Sequence, residues 1–440
     1  DAAPRPAEPV RRAVVVGGGT MGAGITHALL VAGVHVRLIE LEPSAVSAAL
    51  RRVQAMLDSD RRDRRLSPVQ ARQAMERLAP STEWTGLRLA DVAIEAVVEK
   101  PSLKQEVFEK LGRLTRDDAV LATNTSALDI PTLARAAGRA QQVIGMHFFN
   151  PVPKMPLVEI VRTEASSAEA VGVGVALAER IGKTPIVVNH GPAFLVNRLL
   201  LPGLAEALAM VAEGVAPRVL DNELRRWGMP MGPCELLDYV GLDVAVDIIE
   251  ALQPRLGDRL TLPAGMDAAV SNGWLGRKSG RGFYVYGASR PRLPWQHIPP
   301  QEHEALLRRL RQGHGTATVE LDDAVLQRRV VLPMVNEAAR TLVEGITDST
   351  DLIDLATVLG LGLAPFRGGL VHHAESIGLA DVVRQLDELA ARHGKRFEPT
   401  PELRAAAAEG APMQALARSW REGAQSDTAA GRDIGARTPH

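Results

Sequence analysis

Short apolar runs alternate with stretches of helical periodicity through the first part of the chain. Arg12 to Val16 is a β-branched run ending in glycines, after which Ile25, Ala28, Leu29 and Ala32 recur at helical spacing until Gly33 stops the helix. Val34 to Glu40 reads as the next strand. Strand, glycine turn, helix and strand within about 30 residues have the dimensions of a βαβ unit. The alternation continues with Val92 to Ala96 and a helix from Pro101, Val120 to Thr123 and a helix begun by Pro131, then Val143 to His147. It predicts a mostly parallel, doubly wound sheet. Leu157 to Val161 and Thr184 to Val188 enclose an Ala/Val-rich helix, and after Asn189-His190-Gly191-Pro192 the texture changes to long helical stretches. A domain boundary is therefore expected near residue 190.

The helical region repeats itself. Arg198-Leu-Leu-Leu-Pro202, Glu206 and Glu213-Gly214 return 131 residues on as Arg329-Val-Val-Leu-Pro333, Glu337 and Glu344-Gly345. Later correspondences such as Gly241-Leu242 with Gly378-Leu379 drift by a few residues. A duplication accounts for this, although a shared helix-plus-proline pattern can arise independently. Pro-, Arg- and Gln-rich residues 287–320 then read as the linker between copies.

Composition narrows the class. At 440 residues the chain exceeds what one core supports, so two or three domains are expected. A formal net charge of -1 argues against a nucleic-acid or anionic-membrane surface. The single cysteine, Cys234, excludes an intrachain disulfide and makes a cytoplasmic location the default, with a structural role for that thiol. The richest apolar run, Leu199 to Ala212, is broken by Pro202, Gly203 and Glu206, so no membrane span is expected. Residues 1–10 are Pro/Ala-rich, start with Asp and read as a linker, leaving open an upstream domain. Residues 416–440 read as a disordered tail. His372-His373 stands without Cys or carboxylate at ligand spacing, so no metal site is expected.

Gly17-x-Gly19-x-x-Gly22 alone is a weak signal; its position between a strand and a helix makes it a dinucleotide turn. The first glycine permits the tight turn, the second lets the backbone approach a pyrophosphate, and the third lets helix pack on strand. The helix N-terminus, beginning near Thr20, offers N–H groups to the phosphates. Glu40, 18 residues beyond Gly22 at the end of the second strand, can accept from ribose hydroxyls and would repel a 2′-phosphate. NAD is thus expected over NADP.

His147 stands at the carboxyl end of a strand, where ligands of open α/β sheets collect. Glu159 falls on the next strand, and the turn through Asn150-Pro151-Val152-Pro153 can bring the two side by side. Histidine suits the proton exchange that accompanies hydride transfer near neutral pH, and a carboxylate on one ring nitrogen raises the basicity of the other. Spacing alone leaves a structural histidine as the commoner reading.

The surrounding words carry further information. Thr123-Asn124-Thr125-Ser126, His147-Phe148-Phe149-Asn150-Pro151, Met155-Pro156-Leu157-Val158-Glu159-Ile160 and Pro192-Ala193-Phe194-Leu195-Val196-Asn197-Arg198 together resemble the 3-hydroxyacyl-CoA dehydrogenase family. So do Pro230-Met231-Gly232-Pro233 and Gly280-Arg281-Gly282-Phe283-Tyr284. The likeness runs from about residue 11 to 410. With a second helical copy, it is nearest to the dehydrogenase half of the multifunctional fatty-acid oxidation α-subunit, which carries an enoyl-CoA hydratase half upstream.

That resemblance implies an α/β Rossmann-like domain over 11–190, followed by two all-α domains over 191–286 and 321–415 that look like a duplicated C-terminal domain. It implies reversible oxidation of (S)-3-hydroxyacyl-CoA to 3-oxoacyl-CoA with NAD, in β-oxidation or a related acyl-CoA pathway. His147 would be the catalytic base and Glu159 its partner, with Ser126 and Asn197 bonding the substrate's C3 oxygen or thioester carbonyl. Positions matching NAD contacts are Gly17, Gly19, Thr20, Met21, Gly22 and Glu40, with Val98, Glu99, Lys104, Asn124, Ser126 and Asn150 beyond them. The implied ligands are an acyl-CoA and NAD, with a thiolase or hydratase as partner; monomer and homodimer both stay open. Each residue also has a plain alternative: Ser126 as a helix cap, Asn197 satisfying backbone, Lys104 solvated on a helix. A related dehydrogenase of free β-hydroxyacids would need a catalytic Lys, and a non-catalytic subunit retaining nucleotide binding is the rival outside enzymes. Three positions depart from the family: Thr123 and Ala193 replace a usual Ser and Gly, and Leu359 stands where some relatives carry a Tyr.

Overall fold

A computed structural model describes residues 9–287, 300–312 and 322–417, so the expected tail beyond 417 and most of the residues 1–10 lie outside the described residues. The chain divides into two compact units at Phe194/Leu195, four residues beyond the expected boundary.

In the first unit the strands are β1 (Arg12–Val16), β2 (His35–Ile39), β3 (Leu78–Ser81), β4 (Val92–Glu95), β5 (Val120–Thr123), β6 (Val143–Phe148), β7 (Leu157–Arg162) and β8 (Thr184–Asn189). The helices are α1 (Thr20–Val31), α2 (Pro43–Arg62), α3 (Pro68–Glu76), α4 (Pro101–Leu114), α5 (Ile130–Ala137) and α6 (Ala168–Arg180). The sheet order is β3-β2-β1-β4-β5-β6-β7-β8, parallel throughout except between β6 and β7. Strand order reverses between β1 and β4, the place where such sheets bind ligands beyond their carboxyl ends. The central strands β4, β5 and β6 are buried along their whole length, which is why they read as continuous apolar runs instead of alternating ones.

β3 escaped the periodicity reading. Its sequence, Leu-Ala-Pro-Ser, holds a proline and no β-branched residue, and it survives because it lies at the sheet edge, where a missing N–H is tolerated.

The second unit holds α7 (Val196–Glu213), α8 (Pro217–Trp227), α9 (Pro233–Val240), α10 (Leu242–Leu256), α11 (Met266–Ser271), β9 (Tyr284–Val285), β10 (Gln301–Glu302), α12 (Glu304–Leu310) and α13 (Asp323–Val343). It continues through α14 (Thr350–Leu359), α15 (Leu370–Ile377), α16 (Leu379–His393) and α17 (Pro401–Glu409). The stretch expected as a linker over 287–320 is corrected for its described part: β10 pairs with β9, and α12 buries Leu306, Leu307 and Leu310. The apolar spacing of those three leucines was outweighed in the sequence by the Pro and Arg around them.

α7 and α13 pack on each other and exchange buried ion pairs. Arg198 of α7, 1% exposed, donates to Glu337, and its Nη2 lies 2.8 Å from both oxygens of Glu344. Arg329 of α13, fully buried, donates to Glu206 at 2.7 Å and to Glu213 at 2.6 and 2.9 Å. Arg259 adds a bond to Glu337 at 2.7 Å, and Arg396 one to Glu206 at the same distance. Two further carboxylates act alike: Asp221 accepts the N–H groups of Cys234 and Glu235 opening α9, and Asp354 those of Val371 and His372 opening α15. Cys234 is fully buried and burial pushes its thiol up, far from a reactive thiolate. Among the described residues no helix is long and apolar enough to cross a membrane, and no group of His, Cys, Asp and Glu is placed to hold a metal ion.

Candidate active site

The glycine turn links β1 to α1 at the switch point. Gly17 adopts φ +97°, and a Cβ there would stand 2.6 Å from the Ala96 carbonyl oxygen. A Cβ on Gly22 would stand 1.8 Å from the Gly17 backbone oxygen, so helix and turn can touch only because Gly22 carries no side chain. Around Gly19, by contrast, nothing lies within 4 Å of a Cβ position. That open space sits at the N-cap of α1, whose first turn at Thr20 and Met21 has neither a side-chain cap nor an acidic residue. The cradle therefore offers N–H groups and a positive helix end without a competing anion, as a pyrophosphate requires. Glu40, just past β2, accepts the Gly18 N–H at 2.5 Å, which holds its carboxylate beside the cradle. Residues and cradle fit a dinucleotide with free ribose hydroxyls.

The next strands along the edge carry the rest of the predicted set. Past β4, Val98 is 62% exposed and Glu99 borders it. Glu99 accepts from the Thr125 hydroxyl, from the Ser126 N–H at 3.0 Å and from Lys104 at 3.1 Å. Burial pushes the Glu99 carboxyl up, but Lys104, Thr125 and Ser126 together hold it below the usual carboxylate range. Lys104, on α4, is not a solvated helix residue: it is 1% exposed and its Nζ lies 2.7 and 2.9 Å from the two oxygens of Glu95. Asn124 accepts the Phe148 N–H at 2.9 Å, tying the end of β5 to the end of β6. Asn150 is exposed in the turn that follows β6.

His147 and Glu159 face each other as directly paired residues of antiparallel β6 and β7. His147 Nδ1 lies 2.5 Å from Glu159 Oε2, with His147 6% exposed and Glu159 fully buried. Phe149 tilts against the imidazole at 4.5 Å between centroids, and Phe194 meets it edge-on at 5.8 Å. Ala193 and Phe194 both hold left-handed φ, 62° and 57°, which explains a glycine at the position that Ala193 occupies. Asn197 belongs to the second unit, half-buried in the first turn of α7. Sequence reasoning missed Glu95, fully buried at the end of β4. The signal was a lone carboxylate closing the apolar run Val92-Ala93-Ile94, with a lysine nine residues on.

A nucleotide cradle and an array of polar groups on one edge of a doubly wound sheet define a dinucleotide-binding oxidoreductase. The chain belongs to the 3-hydroxyacyl-CoA dehydrogenase family: residues 12–191 match the family's NAD-binding domain and 194–286 its C-terminal domain. It is 37% identical to the fatty acid oxidation complex subunit alpha of Shewanella sp. (strain ANA-3) over 91% of this chain, and spans 56% of that relative's length. Among solved structures, the 3-hydroxybutyryl-CoA dehydrogenase of Escherichia coli K12 is similar over 90% of this chain and 98% of its own, at 28% identity and a TM-score of 0.77. The (S)-3-hydroxybutyryl-CoA dehydrogenase of Ralstonia eutropha is 36% identical over 63% of this chain and 99% of its own, with a TM-score of 0.61.

Proposed function

We propose that this chain catalyses the reversible oxidation of (S)-3-hydroxyacyl-CoA to 3-oxoacyl-CoA, with His147 as general base and Glu159 as its positioning partner. The observation that carries it is the 2.5 Å contact between Nδ1 and Oε2 at the carboxyl end of β6. With Nδ1 engaged, Nε2 is the nitrogen that takes the substrate hydroxyl proton as the C3–H bond breaks, and Glu159 stabilises the resulting imidazolium. Held by the glycine cradle and Glu40, NAD would supply the hydride acceptor for C3. Ser126, held through its N–H by Glu99, and Asn197 are assigned to the substrate oxygens, where donors orient C3 and stabilise enolate-like charge. The apolar rings of Phe149 and Phe194 against His147 keep water from the imidazole.

The two helical halves, 191–286 and 321–415, are read as copies of one domain. The reciprocal pairing of Arg198 with Glu337 and Glu344, and of Arg329 with Glu206 and Glu213, supports this, because every partner recurs at the same offset of 131. The NAD-binding domain match covers residues 12–191 and precedes both helical halves, so the second half is read as having no nucleotide-binding domain of its own and one active site per chain is expected. The Shewanella relative's name speaks of a complex, which supports the thiolase or hydratase partner that the resemblance implies. The test is NADH absorbance at 340 nm on adding acetoacetyl-CoA. Oxidation of NADH supports the reading; silence with NADH still bound replaces it with a nucleotide-binding scaffold.

A further inference from the structure

Between the glycine cradle and His147 lie three linked charges, Glu95 and Lys104 buried and Glu99 partly exposed, of which the reaction as written uses only Glu99, through Ser126. Glu95, fully buried, accepts from Lys104 on both oxygens at 2.7 and 2.9 Å, from the Thr123 hydroxyl at 2.7 Å and from the Val97 N–H at 2.7 Å. Lys104 also reaches Glu99 at 3.1 Å and the Val97 carbonyl at 3.5 Å. Buried at 1% exposure, the Lys104 ammonium is engaged by these protein groups, and Glu99 is the charged one of them that faces solvent. The set Glu95, Lys104 and Glu99 thus sums to one negative charge, and Glu99 is its solvent-facing end, with a side chain 40% exposed.

Its position gives that charge a consequence. β4, which ends at Glu95, lies between β1, which ends at the glycine cradle, and β5, which leads to Ser126. A dinucleotide that places its adenosine ribose at Glu40 and its pyrophosphate at the cradle extends its other half past β4 toward β5 and β6. The nicotinamide ring carries a positive charge when oxidised and none when reduced.

We propose that the Glu95–Lys104–Glu99 set makes the site discriminate by cofactor charge, favouring NAD+ over NADH, with Glu95 as the positioning residue that supplies the excess charge. This rests on the dehydrogenase reading above and adds to it a bias toward the oxidised cofactor. At an effective dielectric near 20, one charge acting over on the order of 10 Å is worth a factor on the order of ten in relative affinity.

The experiment measures dissociation constants of the full-length protein for NAD+ and for NADH separately, by calorimetry and NADH fluorescence. Glu95→Gln keeps the size of the side chain and removes one charge; the NADH-to-NAD+ ratio of dissociation constants should fall on the order of tenfold. The double variant Glu95→Gln/Lys104→Gln restores the net charge and should restore the ratio to within about twofold of the parent. Thr123→Val takes away a bond to Glu95 but no charge, and should lower the unfolding temperature with the ratio kept. Should Glu95→Gln fail to fold, Glu99→Gln on the exposed end must move the ratio in the same direction. Glu95→Gln weakening both cofactors by one factor, or Thr123→Val shifting the ratio as far, overturns the proposal. A parent protein that binds both cofactors yet oxidises no NADH with acetoacetyl-CoA refutes the dehydrogenase reading while the ratio test still stands or falls on its own.

Discussion

His147 and Glu159 stand opposite each other on β6 and β7, the one antiparallel pair in the described sheet, and their side chains meet at 2.5 Å. Antiparallel pairing puts the two residues on one face at one level, so backbone register and not side-chain flexibility fixes the contact. Replacing His147 with Gln should lower kcat by about 10²- to 10⁴-fold, the usual worth of a general base. NAD affinity should stay nearly unchanged. Full activity in this variant would remove His147 from the mechanism.

The glycine turn predicts a separation of stability from binding. Gly22→Ala drives a Cβ to 1.8 Å from the Gly17 oxygen, so this variant should lose both thermal stability and NAD binding. Gly19→Ala meets no protein atom within 4 Å and should unfold at the parental temperature. Its methyl enters the space assigned to the pyrophosphate, and NAD affinity should drop by at least about tenfold. Calorimetric titration alongside thermal melts reads both; unaltered NAD binding by Gly19→Ala would place the phosphates elsewhere.

Arg198 and Arg329 are each buried between carboxylates, and removing one partner of a buried pair leaves charge uncompensated. Arg329→Met should destabilise the helical unit by about 3–5 kcal/mol in urea unfolding. If the halves are copies, Arg198→Met should cost the same to within about 1 kcal/mol. A large inequality between the two would count against the duplication.

Acidity should affect the same unit. Asp221 and Asp238 lie buried near β9, and burial pushes each carboxyl up to about 6 against the bonds from backbone N–H groups, Tyr284 and Tyr286. The folded protein therefore holds these protons more tightly than the unfolded chain, where aspartate titrates near about 3.9. Their contribution is complete below about pH 4 and is lost as pH rises through about 6, by on the order of 1 kcal/mol per pH unit for each group. Urea midpoints should thus fall between about pH 4 and 6 and level off above, and Asp221→Asn should flatten the curve. Midpoints that climb over this range in the parent would contradict the assignment.

Ala193 holds φ 62° with no exposed surface. A left-handed alanine costs about 1–2 kcal/mol, while glycine loses about 0.5–1 kcal/mol in chain entropy, so Ala193→Gly should stabilise by up to about 1 kcal/mol. Thermal unfolding tests this, and a drop in the midpoint would show that the alanine methyl's packing outweighs its backbone strain.

Local patterns alone determined much of this protein. Buried parallel strands must be continuous apolar runs, and a glycine turn must separate strand from helix where phosphates approach, so β1, α1, β2, β4, β5 and β6 were legible from residue order. The recurrence of Arg, Pro and Glu at a fixed offset, on which the proposed duplication rests, was legible in the residue order in the same way. Tertiary structure decided the remainder. β3 forms because an edge position forgives Pro80, and α12 because its leucines find a core; neither condition is local. Glu95 and Lys104, nine positions apart on a strand and a helix, become one buried pair only when α4 packs back on the sheet. The sequence could bring His147 and Glu159 to neighbouring strands, but their contact depended on antiparallel register, which hydrogen bonding between strands sets and neither residue encodes.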